Sequence, residues 1–159
     1  MENTNELLKY AINYLSKFSS SRANLEKVLK NKVRKLNIEK VNKASLYNSI
    51  KNIISQLESK NLINDKTYSN SKISSLIIQG KSKLYIKSFL LKKGIESNLI
   101  NQSLIEYDNI QPEWEIESAK TFARKKNLIN NKKNNQKNLA KMSRAGFNYE
   151  ISKKILDQI

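Results

Sequence analysis

Over most of the chain apolar residues recur every three or four positions, and no stretch alternates well enough to make a strand. Leu8, Ala11, Ile12 and Leu15 share one side of a helix expected over about residues 5–18. Ser19-Ser20-Ser21 ends it, and Ser21 is placed to cap the next helix, whose stripe is Leu25, Val28, Leu29, Val33 and Leu36. A third stripe, Leu46, Tyr47, Ile50, Ile53, Ile54 and Leu57, stops at Lys60-Asn61. Asp65 is expected to cap a helix carrying Tyr68, Ile73, Leu76 and Ile77, which Gly80 breaks. Ser82 caps one with Tyr85, Ile86, Phe89 and Leu90, ending at Gly94, and Leu99, Ile100 and Leu104 mark another over about 97–107. Pro112 suits the first position of a helix holding Trp114, Ala119, Phe122 and Ala123, with Glu113, Glu115 and Glu117 at its positive end. The polar run 127–138 reads as a loop, a frayed helix start or both. Leu139, Ala140 and Met142 then lead to Gly146, and a last helix holds Ile151, Ile155 and Leu156.

A repeat lies over this pattern. Leu90-Leu91-Lys92-Lys93-Gly94-Ile95 aligns with Met142-Ser143-Arg144-Ala145-Gly146-Phe147, and Leu99 and Leu104 align with Ile151 and Leu156. Each copy reads as a helix stopped by a left-handed glycine, after which an apolar residue packs back: Ile95 on Leu90, Phe147 on Met142. The expected helices fall into three groups of three, residues 1–60, 61–109 and 110–159, a short all-α array in which each unit borrows core from its neighbour.

Composition removes whole classes of function. The 159 residues include no Cys and no His, which excludes disulfides, Cys/His zinc sites, His-based triads and cysteine nucleophiles. Apolar runs reach only three residues, as in Leu76-Ile77-Ile78, against the roughly 20 that a spanning helix needs. The polar, acidic start Met1-Glu2-Asn3-Thr4-Asn5-Glu6 is the reverse of a signal peptide, so a cytoplasmic location is expected. The three glycines are too far apart for a phosphate loop. Glu106, Asp108, Glu113, Glu115 and Glu117 form the one carboxylate cluster; a helix start explains it more simply than a magnesium site, and no cofactor, metal or catalytic residue is expected.

The net charge of +16 points to a polyanionic partner. Lys, Asn and Ile make up 67 residues, the bias of A- and T-rich codons, so lysine number alone carries less weight than grouping. The groups are Lys27, Lys30, Lys32, Arg34 and Lys35; Lys81, Lys83, Lys87, Lys92 and Lys93; Arg124, Lys125 and Lys126; and Lys132, Lys133, Lys137, Lys141 and Arg144. Lys83 and Lys87, Lys133 and Lys137, and Lys137 and Lys141 are four apart and share helix faces. Stacked repeats would align such faces into one basic band contacting phosphates. Only Arg22, Arg34, Arg124 and Arg144 carry the planar fork that takes carboxylate or phosphate bidentately, and each also reads as an ordinary surface charge. No helix carries Asn, Gln and Arg at base-reading spacing, so binding would be indifferent to sequence. Tyr85, Phe89, Trp114, Phe122, Phe147 and Tyr149 could stack on bases, but their helical spacing favours core packing.

Four ordered segments resemble the RecX family, bacterial regulators of the RecA recombinase. Ala11-Ile12-Asn13-Tyr14-Leu15 followed by Ser21-Arg22-Ala23-Asn24-Leu25 is similar to its first helix and its Ser-Arg-x-Glu-Leu motif, with Asn24 in place of the capping-box acid. Leu62-Ile63-Asn64-Asp65 resembles its Leu-Ile-Asp-Asp segment. Gly80 through Lys92-Lys93-Gly94-Ile95 resembles its Gly-to-Lys-Gly-Ile stretch, and Leu139-Ala140-Lys141-Met142-Ser143-Arg144-Ala145-Gly146-Phe147-Asn148-Tyr149-Glu150 its Leu-Ala-Arg-Arg-Gly-Phe-Ser-Tyr-Glu ending. The resemblance implies an elongated, curved array of three tandem three-helix repeats. It implies a non-enzymatic protein that binds the RecA filament on single-stranded DNA, touches DNA phosphates, and lowers ATPase and strand-exchange activity. A monomer is expected. The candidate contacts are Arg22, Lys27, Lys30, Arg34, Lys83, Lys87, Lys92, Lys93, Arg124, Lys133, Lys137, Lys141 and Arg144. The alternative reading is a general basic helical nucleic-acid-binding protein that needs no recombinase.

Overall fold

Five of the helices stop where the chain enters the left-handed region, at Asn61, Gly80, Gly94, Asn127 and Gly146, with φ between 52° and 92°. After four of these stops an amide reaches back over the last turn: Leu62 N to Leu57 O, Lys81 N to Leu76 O, Leu128 N to Ala123 O and Phe147 N to Met142 O, at 2.9–3.2 Å. This closure occupies carbonyls that a helix end would otherwise leave unpaired. The computed structural model describes residues 2–129 and 134–157. Among them are nine helices and no strand: α1 (Glu2–Lys17), α2 (Arg22–Lys35), α3 (Lys40–Ser59), α4 (Asp65–Ile78), α5 (Lys83–Lys92), α6 (Ser97–Ile110), α7 (Trp114–Lys125), α8 (Asn135–Arg144) and α9 (Tyr149–Asp157). The most extensive helix pairings fall within successive threes: α1, α2 and α3 with one another, α5 with α6, and α9 with both α7 and α8. Pro112 lies in the turn before α7 rather than at its first position, because Trp114 N already bonds back to Gln111 O at 3.1 Å.

The chain divides into two units. The first comprises Met1–Tyr68 and Lys93–Ile95. Its core joins Leu7 and Ala11 of α1, Leu25, Leu29 and Val33 of α2, and Leu46, Ile50, Ile53, Ile54 and Leu57 of α3, with Ile63 closing it. Fully burying each such Leu or Ile stabilises the fold by about 1.5–3 kcal/mol. The expected stripes of α2 and α3 hold except for half-buried Val28, half-buried Leu36 just past the end of α2, and exposed Tyr47. The stripe of α1 is rotated by one position, so that Leu7 is buried and Ile12 is 45% exposed. Ser21 caps α2 as expected, its Oγ accepting from Asn24 N at 3.2 Å, and the same hydroxyl donates to Lys93 O. Asp65 is not the cap of α4. Asn64 Oδ1 takes that place, accepting from Thr67 N at 3.0 Å, while Asp65 Oδ1 accepts from Arg22 N at 2.8 Å in the first turn of α2.

The second unit comprises Ser69–Lys92 and Glu96–Ile159. Ile73, Leu76, Ile77, Ile86, Leu90, Ile100, Leu104 and Trp114 are buried in it, as are Ala119, Ala123, Leu128, Met142, Phe147 and Ile155. Tyr85 and Tyr149, expected in the core, are 41% and 65% exposed, because each faces away from the buried side of its helix. Ser82 repeats the chemistry of Ser21: its Oγ accepts from Tyr85 N at 3.1 Å and donates at 2.7 Å to Ala145 O, the carbonyl just before Gly146. Ser118 Oγ donates to Lys81 O at 2.7 Å and ties the Gly80 turn to α7. Asn138, inside the run read as a loop, a frayed helix start or both, lies in the first turn of α8, is buried and donates through Nδ2 to Leu128 O at 3.0 Å, anchoring the helix.

Candidate polyanion interface

The structure sorts the candidate cations by what stands opposite them. Arg22 pairs with Glu58 at 3.4 Å and Lys30 with Glu26 at 2.6 Å. Lys27, Lys30 and Arg34 follow one exposed face of α2 in the first unit, at spacings of three and four. On α5, Lys83 Nζ lies 2.6 Å from Asp108 Oδ2, and Lys83 N donates to Glu115 Oε1 at 2.9 Å. Half-buried Lys87 acts on the same carboxylate, while Lys92 is exposed and Lys93 is half-buried. Asp108 also accepts from Trp114 Nε1 at 2.6 Å. Burial pushes its carboxyl up, but the hydrogen bonds from Lys83 and Trp114, with the charges of Lys83 and Lys87, outweigh this and hold it below the usual carboxylate range. The acidic cluster therefore has a structural occupation: Asp108 and Glu115 hold the start of α5, and Glu117 pairs with Lys120. Among the described residues no carboxylates converge as a metal site would need, and no helix is long and apolar enough to cross a membrane.

The third and fourth basic groups are arranged differently. Between Glu117 and Glu150 the chain carries nine cations and no carboxylate. Lys132 and Lys133, the latter a candidate contact, lie outside the described residues. Lys125 Nζ donates to Gln79 O at 3.2 Å. Arg124, Lys126, Lys137, Lys141 and Arg144 are exposed, and their side chains have no hydrogen-bond or ion-pair partner among the described residues. Arg124, Lys126, Lys141 and Arg144 sit at the C-terminal ends of α7 and α8, where the helix field favours positive charge without any counter-ion. Lys126, Lys141 and Arg144 converge on an open pocket of about 400 Å³, completed by Phe122 and Ala145. A second pocket of about 400 Å³, bounded by Ile77, Gln111, Pro112, Glu113, Trp114 and Glu117, has an acidic rim and does not suit a polyanion.

Three members of the basic pocket, Phe122, Lys126 and Ala145, are absent from the candidate contacts. By spacing alone Lys126 reads only as part of a charged group and Phe122 as core, and Ala145 carries no signal of its own. The uninterrupted absence of acid from Ser118 to Tyr149 is the signal that marks this region in the sequence.

No family model matches the chain. It is 26% identical over 155 residues to the regulatory protein RecX of Myxococcus xanthus, covering 92% of this chain and 82% of that protein. It is 31% identical over 117 residues to the regulatory protein RecX of Clostridioides difficile, covering 70% of this chain and 54% of that protein, so it spans little more than half of that relative's length. The crystal structure of RecX from Lactobacillus salivarius superposes with a TM-score of 0.70 at 28% identity, covering 99% of both chains.

Proposed function

Because the chain belongs to the RecX family of regulatory proteins, we propose that it binds the RecA–DNA filament as a non-catalytic monomer in the cytoplasm. It lowers the filament's ATPase and strand-exchange activity, and so modulates recombination and DNA repair. Tandem three-helix repeats, residues 1–60, 61–109 and 110–159, present its cationic surfaces. The observation that carries this reading is the set of unpaired cations at the ends of α7 and α8, in a region without a single carboxylate. A filament of nucleic acid coated with protein is a dense polyanion, and cations that lack an internal partner lose no ion pair on meeting it. The exposed face Lys27, Lys30 and Arg34 supplies a further contact. Lys83 contributes less than its position in the sequence suggests, since its ammonium is already paired.

The test is ATP turnover by RecA on single-stranded DNA with purified protein added. Inhibition at stoichiometric protein is expected, and Lys126→Glu, Lys141→Glu and Arg144→Glu together should weaken it far more than Lys83→Gln. Full RecA turnover at stoichiometric protein would sink the proposal. If naked DNA competes as well as filaments for the protein, the general nucleic-acid-binding alternative replaces it.

A further inference from the structure

We propose that the pocket between the C-terminal ends of α7 and α8 is a nucleotide subsite, holding a phosphate among Lys126, Lys141 and Arg144 and the base or sugar against Phe122 and Ala145. The inference rests on the same cationic cluster as the filament reading, but it needs no recombinase. Three positive groups at the ends of two helices face one space with no carboxylate on its wall among the described residues, so their mutual repulsion is relieved by an anion. Arg144 offers a planar fork for two oxygens of one phosphate, and the lysines supply point charges beside it. A volume of about 400 Å³ is within the usual range of small-molecule sites, roughly 300–1,000 Å³, and exceeds what a bare phosphate fills. Among the described residues the remaining wall, Phe122 and Ala145, is apolar. Phe122 is half-buried, and its ring is held by Phe147 with centroids 5.5 Å apart, which gives a fixed surface for a planar base. The carbonyl of Ala145 is engaged by Ser82, so the end of α8 is fixed before any ligand arrives.

Two sources offer this chemistry: a nucleotide within a single strand, and a free nucleoside triphosphate. The experiment titrates the full chain, with no recombinase present, by calorimetry with 5′-phosphorylated oligothymidylate, with ATP and with tripolyphosphate. Either nucleotide ligand should bind about tenfold tighter than tripolyphosphate, the low end of what stacking one base contributes. Binding by the oligonucleotide alone assigns the site to a strand, and binding by ATP assigns it to the free nucleotide. Lys141→Gln with Arg144→Gln, both exposed and unpaired, should weaken nucleotide binding at least about tenfold. Phe122→Leu should remove only the advantage over tripolyphosphate, with the helical circular dichroism unchanged. Tripolyphosphate binding as tightly as both nucleotides, no binding by either, unaltered affinity in the double variant, or displacement by polyglutamate at lower concentration than by nucleotide would each overturn the assignment. None of these outcomes bears on filament inhibition, which is read with RecA present.

Discussion

Asp108 receives hydrogen bonds from Lys83 Nζ and Trp114 Nε1, both at 2.6 Å, and a single carboxylate thereby joins the start of α5 to the end of α6 and the start of α7. Its carboxyl lies below the usual range despite burial, so its protonation is harder in the folded protein than in the unfolded chain. A carboxyl depressed by folding contributes stability above its unfolded pKa, about 3.9, and that contribution is lost as pH falls toward and through the folded value. Asp108→Asn should therefore destabilise the protein at neutral pH, by an amount steady down to about pH 5 that shrinks below about pH 4. Urea unfolding of both proteins across that range checks it, and a gap that stays constant to pH 3 contradicts the assigned role. In the sequence Lys83 reads as a contact for an external partner, because spacing reveals which face a lysine occupies. It does not reveal what stands across from that face.

At the scale of elements, most of the structure is decided at helix ends. An N-cap serine that also donates to the carbonyl before a left-handed glycine appears twice, as Ser21 with Lys93-Gly94 and as Ser82 with Ala145-Gly146. The glycines are required for space as well as for φ: a Cβ on Gly94 would lie 2.3 Å from Ala23 Cβ, and one on Gly146 would lie 2.5 Å from Ser82 Oγ. Gly94→Ala adds a positive-φ penalty of about 1 kcal/mol to an overpacking cost of about 1–3 kcal/mol. In an Ala23→Gly background the clash disappears and only the conformational part remains. A double-mutant cycle by denaturant titration should thus show that Ala23→Gly rescues much of the loss; additive losses would mean that the two residues do not touch. Both glycines were readable as helix stops, but the alanine and serine that oppose them lie about 60–70 residues away in the chain.

For the whole molecule, the charge of +16 is a poor guide to where binding occurs, because several cations are already matched internally. The unpaired ones should dominate the salt dependence. Each phosphate neutralised on a single strand contributes a slope of about −0.7 in log K against log salt. Replacing Lys126, Lys141 and Arg144 together by Gln should therefore flatten the slope by about 2, whereas Lys83→Gln should leave it nearly unchanged. Fluorescence anisotropy of a labelled oligonucleotide at several salt concentrations measures both, and equal changes in the two variants would show that internal pairing does not govern availability.

The all-helical fold, the helix stop at Gly80, the left-handed stops at Gly94 and Gly146, the caps at Ser21 and Ser82 and most core positions follow from the sequence alone. Each depends on residues a few positions apart, where spacing fixes geometry. The identity of the cap of α4, the rotation of α1 that exposes Ile12, and the burial of Asn138 needed the tertiary structure. So did the sorting of lysines into paired and unpaired. A side chain's partner is set by which elements pack against its own, and charges such as Lys83 and Asp108 meet only after helices distant in the chain have found their common core.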